Sequence, residues 1–466
     1  MKNQEQYQHR AIDKSVFRAY DIRGIIGDQL DENAFYTIGR AISCRLRALN
    51  RNDILMARDG RLTSPSLATA LMQGLLDSGI NVVDLGEAAT PVMYYATHVH
   101  GIDSGVMVTG SHNPADYNGI KMVLAGTTLA HEDIQMLYDF VSRGEVINGQ
   151  GQYQRFDIMS AYTQRIVSDV QLKRPLKIVV DCGNGIAGPV IPGVLRQLGC
   201  EVIELYCDVD GRFPNHHPDP TIEANLVDLK AAIAEHQADI GLAFDGDADR
   251  LGVLTNQGEL IWPDRLMMLY AQDVLTRNPG ATIVYDVKCS SHLAGVIKKA
   301  GGVGKMCPTG HSIVKRVMKE EHAALAGEMS GHLFFKDRWY GFDDALYSAC
   351  RLLEIVCASA LTVDEQFKAI PNSVNTPEIK IPIVDNEKFI FMERFSTESN
   401  FPDAELIAID GLRVEFPHGW GLLRASNTTP CLVARFEAED QISLDNIQAL
   451  FKTQLQEIDR ELAIPF

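Results

Sequence analysis

The amino-acid sequence predicts three consecutive mixed α/β domains followed by a smaller C-terminal antiparallel α+β domain, and three observations carry that reading. An apolar strand ending in aspartate occurs three times, as DILMARD to Asp59, LKIVVD to Asp181 and TIVYD to Asp286. Each is followed by a helical stretch and a second strand near NVVDL, EVIEL or GVGKM, and such alternation implies parallel or mixed sheets. From about residue 372 the pattern changes to the strand-like runs PEIKIPI, GLRVEF, GWGLLRAS and CLVARFEAE, with a helical NEKFIFMERFS after the first and an amphipathic helix from Ser443. The expected domains are 1–157, 158–259, 260–371 and 372–466.

In the first repeat, Ser64-Pro65 supplies a helix start, with serine as the cap and proline at the first helical position. Each repeat then closes with an apolar strand that runs into a polar loop: GVMVTGSH, IGLAFDGDAD and AALAGEMSGH. Ligands of open α/β sheets sit beyond the carboxyl ends of the strands, so packing the three units about one cleft brings the three loops face to face. The last domain adds a loop of its own, RASNTTP, from Arg424 to Pro430.

With 466 residues, 46% hydrophobic and 22% charged, the chain has ordinary globular composition and room for several cores. No apolar run approaches the roughly 20 residues of a membrane helix. The polar start MKNQEQYQHR has no apolar signal core, so a cytoplasmic protein without a membrane partner is expected. Nine cysteines with no C-x-x-C suit that compartment as small buried hydrophobes. A net charge of −18 argues against nucleic acid as a partner, and an anionic ligand then needs positive charge gathered locally in a cleft. His216 and His217 in FPNHHPDP lack a third ligand at a sensible spacing and read as loop residues.

The loops differ in chemistry. Ser111 in TGSHNP stands at a strand end, where turn residues are common but where open sheets also place reactive groups. Asp245, Asp247 and Asp249 alternate in FDGDADR, and an extended backbone would put all three carboxylates on one side, where a hard cation such as Mg²⁺ relieves their repulsion. Calcium-loop spacing fails, because Arg250 and Asn256 stand where Gly and Glu are needed. Glu328 and Ser330 in GEMSGH can hold sugar hydroxyls, although a glycine-bounded turn explains that stretch equally well. Arg424, Ser426, Asn427, Thr428 and Thr429 combine a forked cation with small donors, a set suited to phosphate. Arg23, Lys121, Arg250, Lys288, His311 and His332 lie near these loops and can offset phosphate charge. Together the loops point to phosphoryl transfer on a sugar.

Over essentially its whole length the sequence resembles the α-D-phosphohexomutases, in the bacterial branch that acts on mannose and glucose phosphates. FRAYDIRG (17–24), TGSHNP, DGDADR, GEMSGH and RASNTTP occur in family order. The resemblance implies four domains around a central cleft and a reversible exchange of hexose 1-phosphate and 6-phosphate through a hexose 1,6-bisphosphate, which also acts as catalytic activator. It implies that Ser111 carries the phosphoryl group and joins Asp245, Asp247 and Asp249 in holding Mg²⁺. It places Arg23, Lys121, His112, Arg250 and His332 among the catalytic groups. Tyr20, Lys288, His311, Glu328, Ser330 and His332 then bind the sugar, and Arg424, Ser426, Asn427 and Thr428 bind the phosphate that is not transferred. Which of Arg23, Lys121 and His332 moves protons stays open. Phosphoglucosamine mutase is the near alternative, disfavoured by Met329 and Gly110, and a non-catalytic sugar-phosphate binder is the remote one. Sugar phosphates are the expected partners of a monomer or weak dimer.

Overall fold

The computed structural model describes residues 7–466 apart from 385 and 428. The first sheet orders its strands Ile22–Ile25, Tyr117–Leu124, Gly105–Val108, Asp53–Arg58, Asn81–Glu87 and Tyr153–Arg155, with Thr127–Thr128 beside Tyr117–Leu124. The second runs Leu260–Ile261, Leu251–Thr255, Ile240–Phe244, Lys177–Asp181 and Glu201–Leu205. The third runs Val303–Cys307, Thr282–Asp286, Leu325–Gly327 and Leu333–Phe335.

One plan recurs in all three. A central strand leading to the repeated aspartate has two parallel neighbours. One of those neighbours, Gly105–Val108, Ile240–Phe244 or Leu325–Gly327, then pairs antiparallel with the strand that follows it. The three polar loops are thus hairpin connections at the ends of inner strands, where the backbone must reverse and no ladder hydrogen bonds constrain the side chains. The fourth sheet is antiparallel, built from Val374–Asn375, Ile379–Pro382, Cys431–Ala438, Gly419–Ala425, Leu412–Phe416 and Glu405–Ile407.

A continuous apolar cluster links the α/β units, while the C-terminal domain packs its own around Phe395, Phe436 and Phe451. That domain docks through a small patch. Trp420 and Leu422 meet Val287, and Arg413 lies 3.8 Å over the Trp420 ring while donating to the Val287 and Cys289 carbonyls at 2.6 and 2.7 Å.

Two expected helix starts move. The first helix of the repeat spans Ser64–Asp77 with Thr63 before it, because the Ser64 hydroxyl is spent on Asp59 and on Asn118. The last helix begins at Gln441, since the Asp440 carboxylate caps it by accepting from Ser443 N. All nine cysteines are free, and only Cys207 is less than fully buried. Among the described residues no helix is long and apolar enough to cross a membrane.

Buried charge away from the cleft is paired. Arg351 is wholly buried, 2.9 Å from Asp273 and 3.0 Å from the equally buried Asp337. Removing one partner of a buried pair strands the other, and Asp337 retains Arg277 at 2.8 Å, so Arg351→Ala is expected to cost about 3 kcal/mol, the lower end of such losses. Thermal unfolding followed by circular dichroism measures it, with turnover at room temperature largely kept.

Candidate active site

Ser111 sits in the first hairpin loop at 2% exposure, with φ of +49°, a left-handed conformation that costs energy in a non-glycine residue. The surrounding structure imposes it. Asp59 accepts from the Thr109 hydroxyl at 2.8 Å, and Thr109 Oγ1 in turn accepts from Ser111 N at 2.8 Å. Arg61, 2% exposed, donates to the backbone carbonyls of Ser111, Asn113, Pro114 and Tyr117 and so holds the loop from beneath. A Cβ on Gly110 would lie 2.5 Å from that guanidinium, so only glycine fits. Ser111 Oγ is 3.2 Å from Asp245 Oδ2 and 3.3 Å from His112 Nδ1.

The second loop meets the first from across the chain. Gly246 packs so closely on the Ser111 carbonyl that a Cβ there would collide with it. Asp245, Asp247 and Asp249 are fully buried and their carboxylates converge, yet the backbone is a tight turn and not the extended segment expected. The turn forms because Asp245 Oδ1 accepts from the backbone of Asp249 at 3.0 Å and of Arg250 at 3.1 Å. Asp247 is tied to the first unit, accepting from Thr90 Oγ1 at 2.6 Å.

Charge in this pocket is unbalanced. Lys121 Nζ reaches Asp247 Oδ2 at 2.7 Å and also contacts Asp249. Burial works against the ammonium, but the attraction of Asp247 and Asp249 outweighs it and drives the Lys121 pKa upward. At Asp247 burial raises the pKa and Lys121 more than offsets that, leaving it low. Burial and then the charges of Asp247 and Asp249 push Asp245 well above the usual carboxylate range. One cation does not satisfy three carboxylates. Oδ1 of Asp247 and Oδ1 of Asp249 are buried without a hydrogen-bond partner, and the three ligand atoms lie within 4.8 Å of one another. A hard divalent cation such as Mg²⁺ fits this donor set.

Adjoining these groups is a cleft of about 810 Å³ that all four domains line. His112, Arg250, Glu328, Ser330, His311 and His332 face it, as do Tyr20, Lys288, Arg424, Ser426 and Asn427. Arg23, 4% exposed, pairs with Asp21 at 2.6 Å and bonds Asn113 in the serine loop. Arg250 Nε donates to His332 Nε2 at 3.1 Å, joining the second loop to the third. Glu328 accepts from Gly310 N at 2.6 Å, and its pKa is raised, chiefly by burial. Burial and then Arg250 and Arg23 hold His112 well below the ordinary histidine value, so it stays neutral beside Ser111. Thr428 lies outside the described residues.

Several groups carried no signal in the sequence. Glu378 pairs with Lys288 at 2.6 Å, and although burial raises its pKa, Lys288 brings it down to about 2. Asp410 holds Arg424 at 3.0 Å and accepts from Thr309 N at 2.9 Å. His216 pairs with Asp181 at 3.0 Å, a structural contact, while His217 lines the cleft.

Family models for phosphoglucomutase/phosphomannomutase match the chain in order: α/β/α domain I over residues 14–146, domain II over 160–258, domain III over 262–374 and the C-terminal domain over 378–454. The phosphomannomutase/phosphoglucomutase of Pseudomonas putida is 51% identical over 456 residues, 98% of each chain. A phosphoglucomutase of Neisseria meningitidis is 50% identical over 449 residues, covering 96% of this chain and 97% of its own. The crystal structure of a phosphoglucomutase/phosphomannomutase family protein from Burkholderia thailandensis superposes with a TM-score of 0.93 at 48% identity, over 98% of this chain and all of that one. On the order of its loops, its four-domain cleft and these full-length matches, the chain belongs to the phosphoglucomutase/phosphomannomutase family of α-D-phosphohexomutases.

Proposed function

We infer that this mutase, an enzyme of the isomerase class, carries a phosphoryl group on Ser111 and passes it to the free end of a hexose monophosphate. The sugar bisphosphate turns around in the cleft, and its other phosphate returns to Ser111. The observation that carries the reading is the placement of Ser111 Oγ 3.2 Å from Asp245, one of three converging carboxylates, directly before His112 and Asn113 in a cleft lined by four polar loops. A passive binder has no use for that arrangement.

Asp245, Asp247 and Asp249 would hold Mg²⁺, which neutralises charge on the phosphoryl group. Lys121 and Arg250 add fixed positive charge at the same point. Lys121, held between Asp247 and Asp249, suits charge stabilisation, and Arg23, Lys121 and His332 are the groups among which the proton is moved. Arg424, Ser426 and Asn427 clamp the phosphate that stays, and Asp410 orients the arginine.

A grip that works in both orientations must use the middle of the ring. Glu328 and Ser330, acting on the 3- and 4-hydroxyls, meet that need and leave carbon 2, where glucose and mannose differ, unread. Strong rejection requires a site group that the wrong substrate leaves unpaired, so the two epimers are expected to react with similar efficiency. Assays with mannose, glucose and glucosamine 1-phosphates and a trace of 1,6-bisphosphate test this. Glu328→Ala should weaken glucose and mannose together. A preference beyond roughly 10³-fold between them, about 4 kcal/mol, would contradict the account of this loop. Faster turnover of the glucosamine compound would move the enzyme to the alternative class.

A further inference from the structure

Three buried side-chain atoms meet beside the metal loop: Asp249 Oδ1, which has no hydrogen-bond partner, and the paired His332 Nδ1 and Asp343 Oδ2. His332 Nδ1 lies 3.1 Å from the Asp343 oxygen and 3.5 Å from the Asp249 oxygen. Both aspartates are fully buried and His332 is 4% exposed. Leaving Asp249 Oδ1 unsatisfied costs about 1–3 kcal/mol, and a single cation in place of the Nδ1 proton binds all three atoms at once. The spacing suits that answer. A tetrahedral ion with bonds of about 2.0–2.1 Å to nitrogen and oxygen separates neighbouring ligand atoms by roughly 3.3 Å. Two carboxylates and an imidazole are a donor set for Zn²⁺ and its neighbours, whereas Mg²⁺ takes oxygen. His311 Nδ1, also without a hydrogen bond, is 3.6 Å from the same Asp343 oxygen and brings a second nitrogen within reach.

We propose that Asp249, His332 and Asp343 form a second cation site, selective for Zn²⁺ or a similar transition-metal ion, and that filling it inhibits the enzyme. The inhibitory part rests on the reading of Asp249 and His332 as working residues. Asp249 Oδ2 is engaged by Lys121, so Oδ1 is the oxygen that both cation sites must draw on, and the two ions compete. Ligation through His332 Nδ1 shifts the ring proton to Nε2, which now accepts from Arg250, so the bond between the second and third loops breaks as the site fills. Lys315 Nζ, 2.8 Å from the other Asp343 oxygen, anchors the carboxylate without blocking the ligand atom.

Equilibrium dialysis of Zn²⁺ against the purified enzyme, at several fixed Mg²⁺ concentrations, tests the site directly, with inhibition measured in parallel. One Zn²⁺ per chain is expected, with apparent affinity falling as Mg²⁺ rises. Asp343→Asn should weaken Zn²⁺ by at least about tenfold, since even outer-shell partners of a metal are worth that much, while the Mg²⁺ requirement stays as in the wild type. Should Asp343→Asn fold poorly, His332→Gln serves as the second variant, read by Zn²⁺ binding and by loss of the intense visible bands of the Co²⁺-loaded protein. Zn²⁺ binding that is absent, or equally tight in both variants as for an ion on the Asp245, Asp247 and Asp249 triplet alone, would overturn the site. Binding that follows the expected pattern without slowing turnover would leave the site standing and refute inhibition.

Discussion

Ser111→Ala is expected to lower kcat by about 10⁴-fold or more, roughly 5.5 kcal/mol of barrier, even with saturating bisphosphate. Ser111 Oγ is the hydroxyl within hydrogen-bond reach of Asp245, and alanine puts no nucleophile there. Folding is not at stake. The loop is held through backbone carbonyls by Arg61 and through Thr109 and Asp59, none of which needs the Ser111 side chain. Intact mass of the wild type should show an added phosphoryl group on part of the protein, mapped to Ser111 and missing in the variant. Near-normal turnover by Ser111→Ala would remove the residue from the mechanism.

The second large effect is expected from the carboxylate triplet. Chelation of divalent cations should stop turnover, and Mg²⁺ should restore it. Asp247→Asn should lower kcat by about 10³-fold, comparable to losing a group that stabilises transition-state charge, and should raise the Mg²⁺ concentration needed for half activation. Asp247 is chosen because it has an orphaned Oδ1 for the ion, and because Lys121 and Thr90 fix its other oxygen. A Mg²⁺ titration of wild type and variant measures both quantities. Turnover that survives chelation untouched would exclude the metal.

The loops were legible in the sequence because their chemistry is written in adjacent residues: a serine between glycine and histidine, alternating aspartates, an arginine beside four hydroxyl or amide side chains. The repeat was legible from the apolar strands that lead to Asp59, Asp181 and Asp286. The antiparallel return strand of the third unit was not, since Leu333–Phe335 is only three residues long and has no period to read. The extended reading of the aspartates failed because Asp245 folds the backbone back onto its own carboxylate. Arg61, Glu378, Asp410 and Asp343 escaped notice for a common reason. Arg61 acts on Ser111 at a separation of 50, Glu378 on Lys288 at 90 and Asp410 on Arg424 at 14, and a single charged residue has no pattern to betray its partner.

The same distances govern when activity can first exist. Ser111 and Asp245 are 134 positions apart, Lys121 and Asp247 126, Arg250 and His332 82. While the chain is being synthesised, the first unit can close its sheet with Ser111 already in its strained turn, yet no carboxylate triplet has left the ribosome. The sugar grip follows later, and the phosphate clamp later still. On the proposed mechanism, a nascent chain therefore holds its phosphoryl carrier without the means to load or discharge it.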